Sequence, residues 1–302
     1  MARLSWTNVL FMACAHLLAL AAIAWVALVC VSPWTMGLGC LWFALCGVAI
    51  TGGYHRLFAH PTYRASRVVR AFYLLFGAAS VQNSALKWAS DHRTHHARTD
   101  RDQDPYNIRR GFWWAHIGWI FFRNPGEGSV HNVKDLASDP LLRWQDRHYV
   151  LVAILVAGVV PLLLGIAWGD AIGALLVAGF LRLVLQWHAT FAVNSFAHWI
   201  GRQPYTRKNS ARDSFWTALV TLGEGYHNFH HRFQLDYRNG VRWYHFDPTK
   251  WFVWSLEKIG LTWDLQRTTP TAIRKARVAV LAEVHGTHVA RPRTRNDSRG
   301  AG

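Results

Sequence analysis

Seventeen histidines stand in these 302 residues, and nine of them are gathered in motifs. His92, His95 and His96 form HRTHH, and His227, His230 and His231 form HNFHH. His55 and His60 frame HRLFAH, and His198 stands alone in NSFAH. Positions i, i+3 and i+4 of a helix share one face, so each HxxHH presents three imidazoles together. The i, i+5 spacing of His55 and His60 does not, which predicts that their helix ends between them, near Pro61. Imidazole suits Zn, Cu, Fe and Ni. Nine neutral ligands exceed the three or four of one zinc site, so two metals are the natural count. The other eight histidines, His16, His116, His131, His148, His188, His245, His285 and His288, lack this spacing and read as packed or solvated side chains.

The elements that must hold these clusters are membrane helices. Half of the chain is apolar (51 %) and only 17 % is charged. Between Leu4 and His55 there is no Lys, Arg, Asp or Glu, and between Tyr149 and Leu181 the one charge is Asp170. A bilayer core of about 30 Å needs roughly 20 apolar helical residues. Four segments qualify: 9–31, 36–53, 149–168 and 171–191. Breaks at Ser32-Pro33 and Gly169-Asp170 make each pair a tight hairpin. The expectation is an all-α integral membrane protein with four transmembrane helices in two hairpins. A cytoplasmic helical cap over 54–148 and 192–290 would hold the His-rich site, as one domain over 1–290, followed by a disordered tail over 291–302. A cleavable signal peptide fits the first span poorly, because the second follows too closely. Val68–Val81 is too short to span and reads as re-entrant or interfacial. Phe112–Phe122 and Trp251–Ile259 suit helices in the headgroup zone.

Charge sets the orientation. The hairpin tips carry no Lys or Arg, and the formal +16 comes from the N-terminus, the middle segment and the C-terminal third. The positive-inside rule places all three, with both termini and the histidines, in the cytoplasm, and a bacterial inner membrane is the expected setting. No nucleic-acid recognition motif accompanies the charge, so no nucleic-acid partner is expected. Anionic lipid, an anionic substrate headgroup or an acidic redox partner explains it better. Cys14, Cys30, Cys40 and Cys46 lie in the first hairpin without metal-type spacing and read as packing residues. Arg182, deep in the fourth span, predicts structural pairing or snorkelling rather than catalysis, with Asp170 too far along the helix to be its partner.

Two imidazole-held metals beside a bilayer point to oxygen chemistry on a hydrocarbon chain, since an unactivated C–H bond is beyond any side-chain acid or base. The substrate would be a fatty acyl chain with its headgroup on the cytoplasmic side. Ligand count and location do not separate desaturation from hydroxylation. A metal transporter would instead place ligands along a path inside the spans.

The finer pattern resembles the membrane fatty acyl desaturases of the stearoyl-CoA desaturase type. It is carried by Gly52-Gly53-Tyr54-His55, DHRTHH, TDRDQDPYNIRRGF with HIGW, TFAVNSFAH, GEGYHNFHH and DYRNGVRWYHFDPTKW, in order between Ile50 and Leu261. The resemblance implies an acyl-CoA 9-desaturase, which inserts a cis double bond into a saturated chain with O2 and two electrons. It implies that the nine clustered histidines hold two iron ions, with Asn194 holding a water on one of them. A bent acyl tunnel would be walled at its bend by Gln82, Trp88 and Thr190. Asn83 and Asp91 would touch the headgroup, with Arg109 and Arg110 nearby. Gly39 and Phe43, three to four turns before His55, would line the closed end.

Where the animal enzymes have Glu, Arg and Trp, this chain has Lys87, Ser90 and Phe191. That leaves CoA thioester, phospholipid ester and carrier-protein thioester open as the acyl carrier. No heme or flavin segment reads at either end. Electrons are therefore expected from a separate donor, a b-type cytochrome or a ferredoxin with its reductase, whose acidic surface would suit the basic face.

Overall fold

Four helices of the computed structural model, which describes residues 3–29, 31–123 and 131–286, are long and apolar enough to cross a membrane. In chain order the helices of five residues or more are α1 (Trp6–Leu28), α2 (Pro33–Ala59), α3 (Arg67–Ala79), α4 (Ala85–Arg98), α5 (Phe112–His116), α6 (Pro140–Arg147), α7 (Tyr149–Ile166), α8 (Ala171–Trp199), α9 (Phe215–Val220), α10 (His227–Arg232), α11 (Pro248–Lys258) and α12 (Pro270–Val284). The membrane-length four are α1, α2, α7 and α8, and the chain is an integral membrane protein. α2 and α8 bury 56 % of their most apolar stretch against 22 % for α1 and α7, so they form the inner pair. Both inner helices run further than the apolar pattern alone predicts, α2 to Ala59 and α8 to Trp199, and so carry histidines at their ends. α3, α4 and α11 pack on the last turns of α2, and α9 packs on α8.

A polar knot joins the turns between the spans. Asp170 accepts from the Gly173 N–H (2.9 Å), capping α8, and from Thr35 Oγ1 of α2 (2.6 Å). Trp168 Nε1 donates to the same Thr35 hydroxyl (2.9 Å). Arg182 takes the structural pairing rather than the snorkelling path, and its shortest hydrogen bonds go to carbonyls. Its buried guanidinium donates to the carbonyls of Ala178 (2.8 Å) and Ala79 (3.0 Å), tying α8 to the carbonyl-rich end of α3.

α2 ends at Ala59, between His55 and His60 as their spacing predicts, but only after a change of helical period. From Ala49 to Ala59 it widens into a π-helix, whose hydrogen bonds close over five residues instead of four. The His60 N–H donates to the His55 carbonyl (3.1 Å), and the wider turn brings residues five apart onto one face, with ring centroids 5.0 Å apart. His60 caps the helix just before Pro61, and the change of helical period accommodates the odd spacing. α3 clasps this stretch. The Tyr73 ring fills the space a Cβ would need at Gly53, and the Tyr54 ring does the same at Gly77. That reciprocal contact fixes the rotation of the turn bearing His55.

Phe112–Phe122 is not one helix. α5 breaks at Ile117, a 3-10 turn follows over Gly118–Phe121, and Phe122–Arg123 pairs antiparallel with Arg3–Leu4. Asn8 Nδ2 donates to the Ile120 carbonyl (2.8 Å), so this segment lies along the start of α1. A second two-residue pair joins Arg64–Ala65 to Thr262–Trp263. Apart from isolated bridges that join Arg202 to Asp213 and Asp213 to Tyr226, and the loops, the described residues are helical.

Three histidines that spacing left unassigned form a chain across α1, α8 and α5. His16 Nε2 meets His188 Nε2 (3.1 Å), His188 Nδ1 meets His116 Nε2 (3.0 Å), and His116 Nδ1 meets Ser195 Oγ (2.9 Å). They stitch α5 to the spans. Cys46 is buried, while Cys14 and Cys40 face outward; none of the three is in a disulfide. Cys30 and the tail over 291–302 lie outside the described residues.

Candidate metal centre

α2 supplies His55 and, just past its end, His60; α4 supplies His92, His95 and His96; α8 supplies His198; α10 supplies His227, His230 and His231. They meet as two groups. His55, His60, His92, His96 and His230 form one, and His95, His198, His227 and His231 the other. Within each group all ligand atoms lie within 4.8 Å of one another. Neither HxxHH acts as a single triplet. At about 100° per residue, the i and i+4 rings diverge by only about 40°, whereas i+3 and i+4 are about 100° apart. The i, i+4 pairs (His92 with His96, His227 with His231) therefore stay together, and His95 and His230 turn to the other group.

The Nε2 atoms face one another across short gaps. In the five-imidazole group His60 and His92 are 2.8 Å apart, His96 and His230 2.9 Å, and His55 and His230 3.0 Å. In the four-imidazole group His227 and His231 are 3.0 Å apart, and His95 and His231 3.3 Å. Nitrogens about 2.1 Å from a common ion at right angles stand about 3 Å apart, so these gaps suit ligands converging on a first-row metal.

The opposite ring nitrogens say which atoms are free to bind. His55 Nδ1 bonds Glu224 (2.9 Å) and His95 Nδ1 bonds Asp104 (2.8 Å), and a carboxylate only accepts. His198 Nδ1 bonds Ser210 Oγ (2.7 Å), whose own proton goes to Asp100 (2.5 Å). All three rings thus carry the proton on Nδ1 and offer the Nε2 lone pair, an orientation that strengthens metal ligands. His198 Nε2 is buried with no hydrogen-bond partner among the described residues, as a ligand atom would be. Burial, then repulsion from neighbouring imidazoles, holds His60, His92, His96, His227, His230 and His231 well below the ordinary histidine value, so these rings are neutral ligands at neutral pH. Burial pushes the Glu224 carboxyl up, but the His55 imidazole and the Arg56 guanidinium outweigh it and bring it to about 2. Arg56, itself fully buried, lies 2.9 Å from both Glu224 and Asp247.

A cavity of about 1080 Å³ opens on both groups, reaching His55 and His92 of one and His95 and His227 of the other. Gln82, Trp88 and Thr190 line it and are joined in a chain: Trp88 Nε1 donates to Gln82 Oε1 (3.3 Å), and Gln82 Nε2 donates to Thr190 Oγ1 (3.0 Å). Asn194, Asn83, Asp91 and Phe43 also line it. The Asn83 N–H donates to Tyr149 Oη (3.0 Å), and Asp91 is gripped by Lys87 Nζ at 2.5 and 2.6 Å. The described lining does not include Arg109, Arg110 or Gly39. Arg109 and Arg110 are exposed, and Arg110 lies over the Trp114 ring. Gly39 faces α8, where a Cβ would come 2.8 Å from Val177 Cγ1.

The family model for fatty acid desaturases matches residues 32–264. This chain belongs to the fatty acid desaturase family. It is 45 % identical over 237 residues to Acyl-CoA desaturase 1 of Saccharomyces cerevisiae, covering 78 % of this chain and 46 % of that protein. It is 36 % identical over 284 residues to Stearoyl-CoA desaturase 5 of Bos taurus, covering 90 % and 83 %. It is 35 % identical over 275 residues to Delta(9)-fatty-acid desaturase fat-5 of Caenorhabditis elegans, covering 89 % and 82 %. The chain spans about half the length of the yeast relative.

Several residues of this desaturase family site were not singled out by motif spacing: Glu224, Asp104, Asp100, Ser210, Arg56 and Asp247. Arg56 carried a usable signal. It directly follows the charge-free stretch and His55, and a buried arginine there requires acids, which GEGYHNFHH and YHFDPTK supply. Ser210 and Asp100 carried none, since a loop brings them to His198 from distant positions.

Proposed function

We propose that this chain is a fatty acyl 9-desaturase, an oxidoreductase that inserts a cis double bond at carbon 9 of a saturated acyl chain with O2 and two electrons. The observation that carries the reading is two groups of neutral imidazoles opening on one long cavity in a member of the desaturase family. We assign one iron to each group, with Asn194 holding a water that completes the four-imidazole set. Bound iron with O2 supplies the removal of hydrogen from an unactivated C–H bond.

The chain's own residues hold and aim the substrate. Phe43, Gly47, Thr51 and His55 share one face of α2 and all line the cavity, so the acyl chain runs along α2 with its far end at Phe43. Gly39, one turn further out behind Val177, backs that end. The Trp88–Gln82–Thr190 chain sets the bend and holds one C–C bond against the imidazole groups, which is an orientation effect. Asn83 and Asp91 receive the headgroup, and Arg109 and Arg110 suit the phosphates of a CoA thioester, the carrier we place first, ahead of a phospholipid or a carrier protein. The positive-inside rule supports a cytoplasmic site, and the basic surface there favours an acidic donor, a b-type cytochrome or a ferredoxin with its reductase.

The test is turnover by the purified, iron-loaded protein with O2 and a reduced donor, given stearoyl-CoA and stearoyl phospholipid separately. A cis-9 monoene supports the reading and the preferred substrate names the carrier. A hydroxylated chain moves the reaction class.

A further inference from the structure

Leu222 holds a backbone conformation that leucine rarely adopts, φ +55°, and it lines the cavity beside Gly47. A left-handed leucine persists where its surroundings over-determine it. Here they act from both sides. Gly223, with φ +99°, is pressed so closely on Asp247 that a Cβ would come within 2.8 Å of the Asp247 Cα. Glu224 follows, bonded to His55 and to Arg56 at 2.9 Å each. On the cavity side, Leu222 Cδ1 occupies the space that a side chain at Gly47 would fill. Leu222 is therefore a fixed wedge. Swinging it aside would drag Glu224 away from His55.

Its position along the cavity follows from α2. Gly47 lies eight residues before His55, roughly 10–12 Å along the helix, on the way to Phe43. The wedge narrows the limb beyond the imidazole groups, where the far half of the acyl chain lies in the reading above.

We propose that Leu222, seated on Gly47, selects straight acyl chains by excluding a methyl branch from this limb. The inference rests on the cavity being the acyl site. A polymethylene chain threads a rigid constriction that a branched one does not, and one extra methylene-sized group in a tight apolar site changes selectivity by about 10- to 200-fold.

Binding tests this without turnover. Iron-loaded full-length protein, kept oxidised so that no reaction runs, is filled with a fluorescent acyl-CoA probe. The probe is displaced by stearoyl-CoA or by octadecanoyl-CoA isomers bearing one methyl branch at successive positions of the distal half. The wild type should favour the straight chain by at least about tenfold over one branch position, and Leu222→Ala should cut that ratio to under about threefold. Leu222→Gly should do the same, and it adopts the left-handed backbone freely should the alanine variant fail to fold. An unchanged ratio in both variants overturns the wedge. Failure of stearoyl-CoA itself to displace the probe from the wild type overturns the acyl-cavity reading, and the wedge with it.

Discussion

Trp88 lies flat on His92, with ring centroids 4.9 Å apart and planes inclined by 19°. One residue thus belongs to both halves of the site: its indole nitrogen starts the Gln82–Thr190 chain, and its face backs an imidazole of the five-membered group. Any shift of the cavity wall at this point is felt by the ligand set. The Gln82–Thr190 chain and the imidazole group are thus built on one rigid unit, which would couple the proposed bend of the acyl path to the proposed metal site.

Thr190→Val removes the acceptor that Gln82 Nε2 uses and frees a half-buried amide on the cavity wall. The expected outcome is a loss of roughly tenfold in turnover with the double bond spread over positions next to carbon 9. Gas chromatography–mass spectrometry of products derivatised at the double bond measures both. An undiminished single cis-9 product would remove Gln82 and Thr190 from the orienting role.

Asp104 fixes the tautomer of His95 and also accepts the N–H groups of Asp100 (3.0 Å) and Tyr106 (3.2 Å). Asp104→Asn should weaken metal binding to the four-imidazole group by about 10- to 100-fold and spare the other group. Iron per chain after dialysis, counted by elemental analysis, should fall from two towards one.

Asp213 provides a pH handle away from the imidazoles. Burial pushes its carboxyl up to about 7, against about 3.9 in an unfolded chain. The folded state holds this proton more tightly, so the contribution is full below the unfolded value and is lost as pH rises through about 7. Asp213→Asn keeps an acceptor for the Phe229 N–H (3.0 Å) and never ionises. Its melting temperature should come nearest to wild type at about pH 4 and exceed it increasingly up to pH 8.5, the difference being on the order of 4 kcal/mol at most. Parallel curves at both pH values would contradict a buried, protonated Asp213.

What the sequence made legible and what it hid divide along physical lines. The spans and the nine histidines were readable because residue type and spacing carry them: long uncharged runs admit few other folds, and two HxxHH motifs rarely coincide. The π-helical stretch was not, since i, i+5 spacing suggests a break to anyone assuming 3.6 residues per turn. The division of each HxxHH between two groups needs the relative placement of α4 and α10, which no local pattern contains. Arg182 read as structurally paired or snorkelling, and the sequence did not say that its partners would be the carbonyls of Ala178 and Ala79. The His16–His188–His116 chain was invisible because its members lie on three elements.

Phe43→Trp should shorten the preferred acyl chain by several carbons, since Phe43 lines the cavity and the proposed acyl path ends there. Gly39→Trp must first displace Val177 and push α2 from α8, so it should cost stability more than it changes the product. Product chain lengths and melting temperatures of the two variants separate these effects. A larger shortening from Gly39→Trp would place the closed end one turn deeper.

The most direct test is the fatty-acid profile, with double-bond location, of cells expressing the wild type beside His95→Ala. His95 is bonded to Asp104 and belongs to the four-imidazole group, so the account predicts new cis-9 monoenes that vanish in the variant. Hydroxylated acids, or an unaltered profile when the purified protein holds two irons and a competent electron donor is supplied, would contradict it.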